Sequence, residues 1–391
     1  MGDRPGSGGL GRPERRELSV PRSIVAFSPA GPTGGRGEDG GRSVGMGDDG
    51  LVVAAARAGD ESAFAALVER HRGELRVHCY RMLGSFDESE DLVQETFLRA
   101  WKGFGGFEGR STLRTWLYRI ATNACLDALD GRARRVLPHH LAAPSDPSTD
   151  LPPRTDIAWL QPFPDRLREP AAPGEAEPDA VTVSRETIEL AFLAAIQHLP
   201  PRQRAVLILR DVLGWPAGQT AALLEGSVAS VNSALQRARA TLREHLPERR
   251  LDWAATEPTE RERAVLRRYM DALERADLAA VADLLAAEVR ATMPPYPMWF
   301  RGRDAVMATL AASWDPGLPE YVGRFRMVET RANGWPAAAA YVQGPDEHVH
   351  RAAAIGVLRI EDGLIVELTA FHDPGLFAAF ALPMTLPPTD R

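Results

Sequence analysis

Two short helical segments joined near a glycine constrain the fold of this chain more than any other feature. In GWPAGQTAALLEGSVASVNSALQRARATLREHL, Leu223 and Leu224 end the first segment and Gly226 supplies a turn. Apolar residues then recur at three- and four-residue steps along the second segment. They are Val228, Val231, Leu235, Ala238 and Leu242. This spacing predicts a helix-turn-helix.

The residues left on the outside of the second segment carry amide, hydroxyl and guanidinium groups, which suit the major groove of DNA. They are Ser230, Asn232, Ser233, Gln236, Arg237 and Arg239. Between Leu199 and Pro247, six arginines against three acids give +3, within a chain whose formal charge is −7. When this segment is considered alone, a surface helix that binds no DNA is an equal alternative.

A second basic segment lies upstream, where residues 110–135 carry six arginines against Asp127 and Asp130, which gives +4. Phe107, Trp116 and Tyr118 are interleaved with these arginines. Guanidinium groups can hold phosphates while aromatic faces receive unstacked bases, so the pattern is typical of single-stranded DNA binding. Trp116 itself falls on the apolar stripe of the helix, which favours packing for that residue.

The stretch DESEDLVQETFLRAW, residues 87–101, combines an apolar helical stripe with five acids. Acids favour a helix N-terminus, and a solvated face on a bundle helix is the simplest interpretation.

The 391 residues are enough for two or three domains. Glycine-rich residues 1–47 predict a disordered tail, and helical spacing predicts an all-α domain over residues 48–136. A proline-rich linker, 137–183, contains Trp159, Leu160 and Phe163, which are too apolar to stay uncovered. A small all-α domain follows over 184–247. Residues 258–383 predict an α+β domain that closes with a hairpin at Asp362-Gly363.

Composition excludes several classes of protein. No apolar run of about 18 residues and no signal-peptide centre occurs, so neither membrane insertion nor export is indicated. Cys79 and Cys125 lack metal-ligand spacing, which favours buried free thiols in a cytoplasmic protein. No cofactor and no metal site is expected, since His348 and His350 would share a strand face but make only a two-ligand case.

With these motifs in view, the chain resembles an extracytoplasmic-function (ECF) sigma factor of bacteria. The resemblance rests on SEDLVQETFLRAW, on FEGRSTLRTWLYRIATNACLDALDGRARR and on LPPRQRAVLILRDVLGWPAGQTAALLEGSVASVNSALQRARATL, in that order. It covers about residues 51–247. In that family the first motif docks on the clamp helices of core RNA polymerase. The second melts and reads the −10 element of promoter DNA, and the third reads the −35 element and lies near the flap of the polymerase.

The resemblance implies roles for individual residues. Asp91, Gln94, Glu95 and Leu98 would face the polymerase, while Leu92, Phe97 and Trp101 anchor their helix. The −10 contacts would come from Arg110, Ser111, Arg114, Asn123, Arg132, Arg134 and Arg135, and the −35 contacts from the outward residues of the helix-turn-helix. Family members often have basic residues where this chain has Asn232, Ala234 and Gln236, so phosphate attraction should be weaker here.

The C-terminal extension resembles a SnoaL-like domain, the cone-shaped α+β fold of polyketide cyclases and ketosteroid isomerases. Matching pieces are VLRRYMDALERADLAAVADLLAAEVRATMPP, WFRGRDAVMATL and ELTAFHDPGLF. The resemblance implies a conical pocket for a small molecule, with Met293, Tyr296, Trp299, Phe300, His350 and His372 as candidate lining residues. Enzymes of this fold use an Asp or His base, for which His372, Asp373 and Asp304 are candidates. A helix N-cap for Asp304 and a strand end for His372-Asp373 are the structural alternatives, and they are favoured.

The sequence thus predicts a transcription initiation factor whose third domain regulates it in cis, with no chemistry of its own. A small-molecule isomerase or cyclase carrying a DNA-binding module is the first alternative. A helix-turn-helix regulator that makes no polymerase contact is the second, which the acid-rich helix and the two separate basic surfaces disfavour.

Overall fold

The computed structural model describes residues 48–168, 188–246 and 258–387. The predicted disordered tail lies outside the described residues, as do residues 169–183 of the predicted linker. The chain divides into two compact units, Met1–Glu69 and Arg70–Arg391. In the first unit, helix α1 (Asp48–Arg57) pairs with helix α2 (Glu61–Glu69), which buries Phe64, Leu67 and Val68. None of the described helices is long and apolar enough to cross a membrane.

The second unit begins with three helices, which we call the first helical part: α3 (Arg72–Leu83), α4 (Phe86–Gly103) and α5 (Leu113–Leu129). Ser85 caps α4 by accepting a hydrogen bond from the backbone N–H of Glu88, and Thr112 caps α5 in the same way through Thr115. The two cysteines are buried free thiols, one on α3 and one on α5, as the sequence predicted.

The second helical part contains α6 (Leu190–Ile196), α7 (Pro201–Leu207), a π-helical turn (Ile208–Val212), α8 (Ala217–Leu223) and α9 (Val228–His245). Helices α8 and α9 form the predicted helix-turn-helix. The left-handed residue of its turn is Glu225, with φ of 51°, and not Gly226. The left-handed residue lies one position before Gly226 because α8 ends at Leu223 and not at Leu224.

One inward assignment on α9 was wrong. Val228 is 46% exposed, because it opens the helix directly after its cap Ser227 and precedes the turns that pack. Ala234, where family members often have a basic residue, is buried at 8% exposure. Val231, Leu235 and Ala238 are buried as predicted.

Residues 258–387 form the sheet domain, an α+β fold as predicted. Its helices are α10 (Glu260–Glu274), α11 (Leu278–Leu284), α12 (Arg303–Trp314) and α13 (Leu376–Ala379). Its strands are β1 (Leu285–Thr292), β2 (Trp299–Arg301), β3 (Arg324–Ala332), β4 (Trp335–Gln343), β5 (His350–Glu361), β6 (Leu364–Phe371) and β7 (Thr385–Leu386).

The sheet runs in the order β2-β1-β6-β5-β4-β3, with β7 on β5. Strands β1 and β6 are parallel, and the other pairs are antiparallel. Helix α10 packs Val265, Leu266 and Tyr269 into the core against the sheet. The predicted hairpin turn at Asp362-Gly363 is confirmed, since both residues have positive φ.

Two local predictions in the sheet domain were wrong. Asp304 lies in the first turn of α12, whose N-cap is Gly302, so it is not the cap itself. His348 precedes the first residue of β5, so it cannot share a strand face with His350. The dipeptide Asn333-Gly334, which makes the β3–β4 turn with positive φ at both residues, escaped the sequence analysis.

The proline-rich segment 137–168, here called the connector, is covered as predicted. Trp159, Leu160 and Phe163 are 9%, 1% and 0% exposed. The Phe163 ring meets Tyr80 at 4.9 Å and Phe86 at 5.8 Å between centroids. Its neighbour Pro164 bridges to Ala332 at the end of β3. The connector is therefore packed between the first helical part and the sheet domain.

Candidate nucleic-acid and polymerase interfaces

The acid-rich helix α4 presents a mixed outer face. Asp91 and Gln94 are exposed, while Glu95 and Leu98 are half-buried. Glu95 accepts a hydrogen bond of 2.8 Å from Arg99 one turn on, so one acid of the face is already paired. Of the three predicted anchors, Phe97 is buried, and Leu92 and Trp101 are half-buried. The helix thus keeps an apolar inner stripe and an acidic outer surface.

Most of the arginines predicted to hold single-stranded DNA are paired within the protein. Arg110 donates to Glu108 at 2.6 Å, and Arg132 and Arg135 both reach Glu88, at 3.1 and 2.9 Å. Ser111 is exposed and Asn123 is half-buried on α5. Trp116 packs on Phe107 with ring centroids 5.0 Å apart, which agrees with a packing role for that residue.

Arg114 is held between a carboxylate and an aromatic ring. Its Nε donates to Glu74 at 2.7 Å, and its guanidinium lies 5.0 Å from the centroid of the Tyr118 ring. Burial alone would raise the pKa of Glu74, but hydrogen bonds from His71 and Arg114 hold that pKa below its ordinary value. The carboxylate of Glu74 therefore stays charged, and it holds Arg114 of α5 against α3.

The outward face of α9 is open, as the sequence predicted. Asn232, Ser233, Gln236 and Arg237 are exposed. Ser230 is exposed too, but it completes a reciprocal capping box with Ser227. Arg239 is clamped by two hydrogen bonds to Asp211, at 2.8 and 2.7 Å. This clamp orients Arg239 and lowers its freedom to reach a phosphate.

The face of α5 that carries the candidate −10 residues contacts the second helical part. Arg119 donates to Glu225 in the helix-turn-helix at 2.7 Å. Thr115 Oγ1 accepts a bond of 3.1 Å from the amide of Gln219, and the rings of Tyr118 and Trp215 lie 5.3 Å apart. The two helical parts are thus in direct contact, through α5 on one side and α8 with its flanking turns on the other.

A buried arginine joins the same two parts. Arg204 on α7 is 3% exposed and donates to the backbone carbonyl of Met82 and to Gln197 Oε1, the latter at 2.7 Å. Further bonds of 3.1 and 3.2 Å reach the carbonyls of Gln197 and Leu199. Burial lowers the pKa of Arg204 to about 10, so the group remains charged. No sequence pattern separates it from the exposed arginines around it.

Asn333 is a second joining residue that the sequence analysis missed. Its side-chain oxygen accepts from the backbone N–H of Phe163 at 2.8 Å, and its backbone N–H donates to the Phe163 carbonyl at 3.0 Å. Its amide donates to Tyr80 Oη at 2.9 Å and to the Ile188 carbonyl at 2.6 Å. One fully buried side chain thus links the sheet domain, the connector and both helical parts.

Four of the candidate pocket residues, Tyr296, Trp299, His350 and His372, make different contacts. Tyr296 and His372 meet edge to face at 5.5 Å, and burial lowers the pKa of His372 to about 4. Trp299, in contrast, donates its indole N–H to the connector carbonyl of Ala142 at 2.8 Å. His350 pairs with Leu386 of β7. Within the described residues, no group of three or more His, Cys, Asp or Glu side chains could hold a metal ion.

These features define a DNA-binding transcription factor built from two sigma-type helical domains and an α+β extension. Family models match Sigma-70 region 2 at residues 67–135, Sigma-70 region 4 at 189–242, and a SnoaL-like domain at 266–368. "ECF RNA polymerase sigma factor SigG" of Mycobacterium tuberculosis (strain CDC 1551 / Oshkosh) is 44% identical over 331 residues, covering 84% of this chain and 86% of that protein. The chain belongs to the ECF RNA polymerase sigma factors.

Two further comparisons agree on extent and fold. "ECF RNA polymerase sigma factor SigW" of Bacillus subtilis (strain 168) is 31% identical over 191 residues, covering 49% of this chain and 92% of that protein. The crystal structure of the Mycobacterium tuberculosis extracytoplasmic function sigma factor SigJ covers 82% of this chain and 99% of its own, with a TM-score of 0.51 and 21% identity. The three-domain fold is therefore shared with a solved structure. Below, the first and second helical parts are called region 2 and region 4.

Proposed function

We propose that this chain brings core RNA polymerase to selected promoters and opens their −10 elements. The observation that carries the proposal is the succession of region 2 and region 4 in a chain 44% identical to an ECF sigma factor over most of its length. The synthesis of RNA itself would belong to the polymerase. In vitro transcription with bacterial core polymerase and a library of promoter fragments tests the proposal through promoter-specific starts.

The polymerase-docking surface would be the outer face of α4. Asp91 and Gln94 are exposed there, next to half-buried Glu95 and Leu98, so acidic and polar groups surround an apolar contact. Replacing Asp91 by Lys reverses a charge without disturbing a packed group. We expect it to lower polymerase binding and transcription together, whereas Glu288→Lys, an exposed acid on β1, leaves both unchanged. An equal loss of polymerase binding in both variants would rule out the outer face of α4 as the docking surface.

The DNA contacts would divide between two surfaces. Arg110, Ser111, Arg114, Asn123, Arg132, Arg134 and Arg135 would serve the −10 element. Ser230, Asn232, Ser233, Gln236, Arg237 and Arg239 would serve the −35 element. Because several of the −10 arginines are paired to Glu74, Glu88 and Glu108, DNA phosphates must compete with internal carboxylates for them.

We further propose that the structure is a closed state, which must open before it binds a promoter. The −10 and −35 elements are about 25 base pairs apart by their positions, or about 85 Å along B-DNA at 3.4 Å per pair. Region 2 and region 4 instead touch through Arg119–Glu225 and Thr115–Gln219. Two regions in direct contact cannot reach two promoter elements that lie so far apart. Binding to polymerase or DNA would therefore have to separate region 2 from region 4.

The SnoaL-like domain would regulate this equilibrium. Its Asn333 turn binds the connector and both sigma regions, so it stabilises the closed state as part of the same chain. The indole N–H of Trp299 is hydrogen-bonded to the connector, so this residue would not be available to a substrate. Tyr296 and His372 remain the candidates for contact with a small-molecule ligand. An enzyme would instead show turnover that is lost on replacing His372.

A further inference from the structure

Four histidines from three segments meet where region 4, the connector and the SnoaL-like domain join. His139 and His140 belong to the connector, His198 follows α6, and His245 ends α9. Ring centroids lie 4.1 Å apart for His139–His140, 5.8 Å for His140–His198 and 3.7 Å for His198–His245. This row of imidazoles is called the histidine junction below.

The hydrogen bonds of the junction require neutral rings. Arg134 donates to Nδ1 of His198 at 2.8 Å, and the backbone N–H of Leu137 donates to Nδ1 of His140 at 3.2 Å. Both donors keep their protons, so each of these nitrogens must act as an acceptor. A protonated imidazole has no acceptor, and it would turn an N–H against a guanidinium or an amide.

The surroundings also disfavour positive charge. Arg134, Arg204 and Arg290 approach the junction from the end of region 2, from α7 and from β1. Glu367 on β6 opposes them at His140, but it is paired with Arg290 at 2.8 Å. Trp299 closes another side, 6.1 Å from the ring centroid of His139. His139 Nδ1 is buried without a hydrogen-bond partner in the described residues. A proton taken up here would place a positive charge near these arginines and beside the apolar ring of Trp299.

Burial and these neighbouring cations lower the pKa of His140 and of His198 from 6.5 to about 4, and that of His139 to about 2. A released histidine regains a pKa near 6.5. The open state therefore binds more protons than the closed state below pH 6.5, and stability of the closed state falls as pH drops from about 6.5 towards 4. From about one pH unit above 6.5 the histidines are largely neutral in both states, so the stability of the closed state no longer depends on them.

We propose that the histidine junction is an acid-sensitive latch, which releases region 4 from the connector when His140 and His198 take up protons. Region 4 is held there through His198, whose ring lies 5.8 Å from that of His140 and whose Nδ1 accepts a hydrogen bond from Arg134, while His245 stacks on His198 from the end of α9. Release would let region 4 leave region 2. The expected consequence for transcription rests on the closed state proposed above, but opening itself is a property of the isolated chain and is measured without polymerase.

The test is energy transfer between two dyes in the full chain, one on Ala222→Cys in α8 and one on Asp346→Cys before β5. Both positions are exposed, and the natural thiols are buried. Nanomolar protein limits association near the isoelectric point of about 5.8. We expect transfer to be constant from pH 8 to 7 and to fall between pH 6.5 and 5.

The decisive variant is His140→Gln with His198→Gln, because glutamine keeps an acceptor oxygen and does not take up a proton in this range. We expect it to match the parent at pH 7.5 and to lose most of the acid response, with His198→Gln alone losing part of it. His348→Gln, an exposed histidine outside the junction, should respond like the parent. Transfer that stays constant to pH 5 in the parent overturns the proposal. So does an acid response that is equal in the glutamine variants, which would assign it to His372, His78 or general acid expansion.

Discussion

At the scale of single residues, Asn333 connects more of the molecule than any sequence pattern indicates. Its positive φ of 56° and the glycine after it are typical of a hairpin turn, so the turn was predictable. Its four hydrogen bonds to Tyr80, Phe163 and Ile188 were not, because these partners lie between 145 and 253 residues away in the chain. Turn chemistry is local, whereas the choice of partners is a property of the packed fold.

Replacing Asn333 by Ala should destabilise the chain by about 3 kcal/mol, since buried partners lose their hydrogen bonds and alanine disfavours positive φ. Asn333→Gly keeps the backbone conformation accessible and loses only the side-chain bonds, so a smaller loss is expected. Unfolding by denaturant measures both. If Ala and Gly variants are as stable as the parent, the Asn333 contacts do not hold the domains together.

Gly84 gives a second residue-scale prediction. It has φ of 69°, and a Cβ there would lie 2.8 Å from Leu160 Cδ1 of the connector. Gly84→Ala should therefore combine backbone strain with a clash and cost about 2 kcal/mol or more. Gly131→Ala shares the positive φ, but beyond its two chain neighbours no atom of the described residues lies within 4 Å of the added Cβ, so it isolates the backbone part. Equal thermal shifts in the two variants would show that the connector does not press on Gly84.

At the scale of elements, periodicity predicted the packing of α9 well because most of that helix buries a single stripe. Val231, Leu235 and Ala238 follow that stripe and are buried. Periodicity failed at a helix start, where Val228 continues the pattern but is 46% exposed. It also could not show that Arg239 is clamped by Asp211 from another helix. Site residues were thus predictable as a face, but not their internal pairing.

The two arginines of α9 provide a matched comparison. Arg237 is exposed, whereas Arg239 makes two hydrogen bonds to Asp211. If both face DNA, Arg237→Ala should weaken promoter binding by the assembled holoenzyme more than Arg239→Ala does. It should also reduce the dependence of log affinity on log salt by about one unit, as expected for a lost phosphate contact. Binding titrations at several salt concentrations measure this, and an unchanged slope for Arg237→Ala would exclude the phosphate contact.

At the scale of the whole molecule, the order of the domains was readable from the sequence, and their contacts were not. The connector residues Trp159, Leu160 and Phe163 indicated that something covers them, without saying what. The structure places region 2, region 4 and the SnoaL-like domain around that connector. The closed state proposed here follows from these contacts, since the face of α5 that would meet DNA is held against region 4.

The most direct test of that closed state joins the two regions covalently. Thr115→Cys and Gln219→Cys replace a pair whose side chains are 3.1 Å apart, and a short bismaleimide can link them while the natural cysteines stay buried. Promoter-specific transcription with core polymerase is then compared with the same double variant capped by a monofunctional maleimide. We predict at least about a tenfold loss in the linked protein only, because one link removes the extended arrangement that both promoter elements require. Equal transcription from the linked and capped proteins would contradict the claim that region 2 and region 4 must separate.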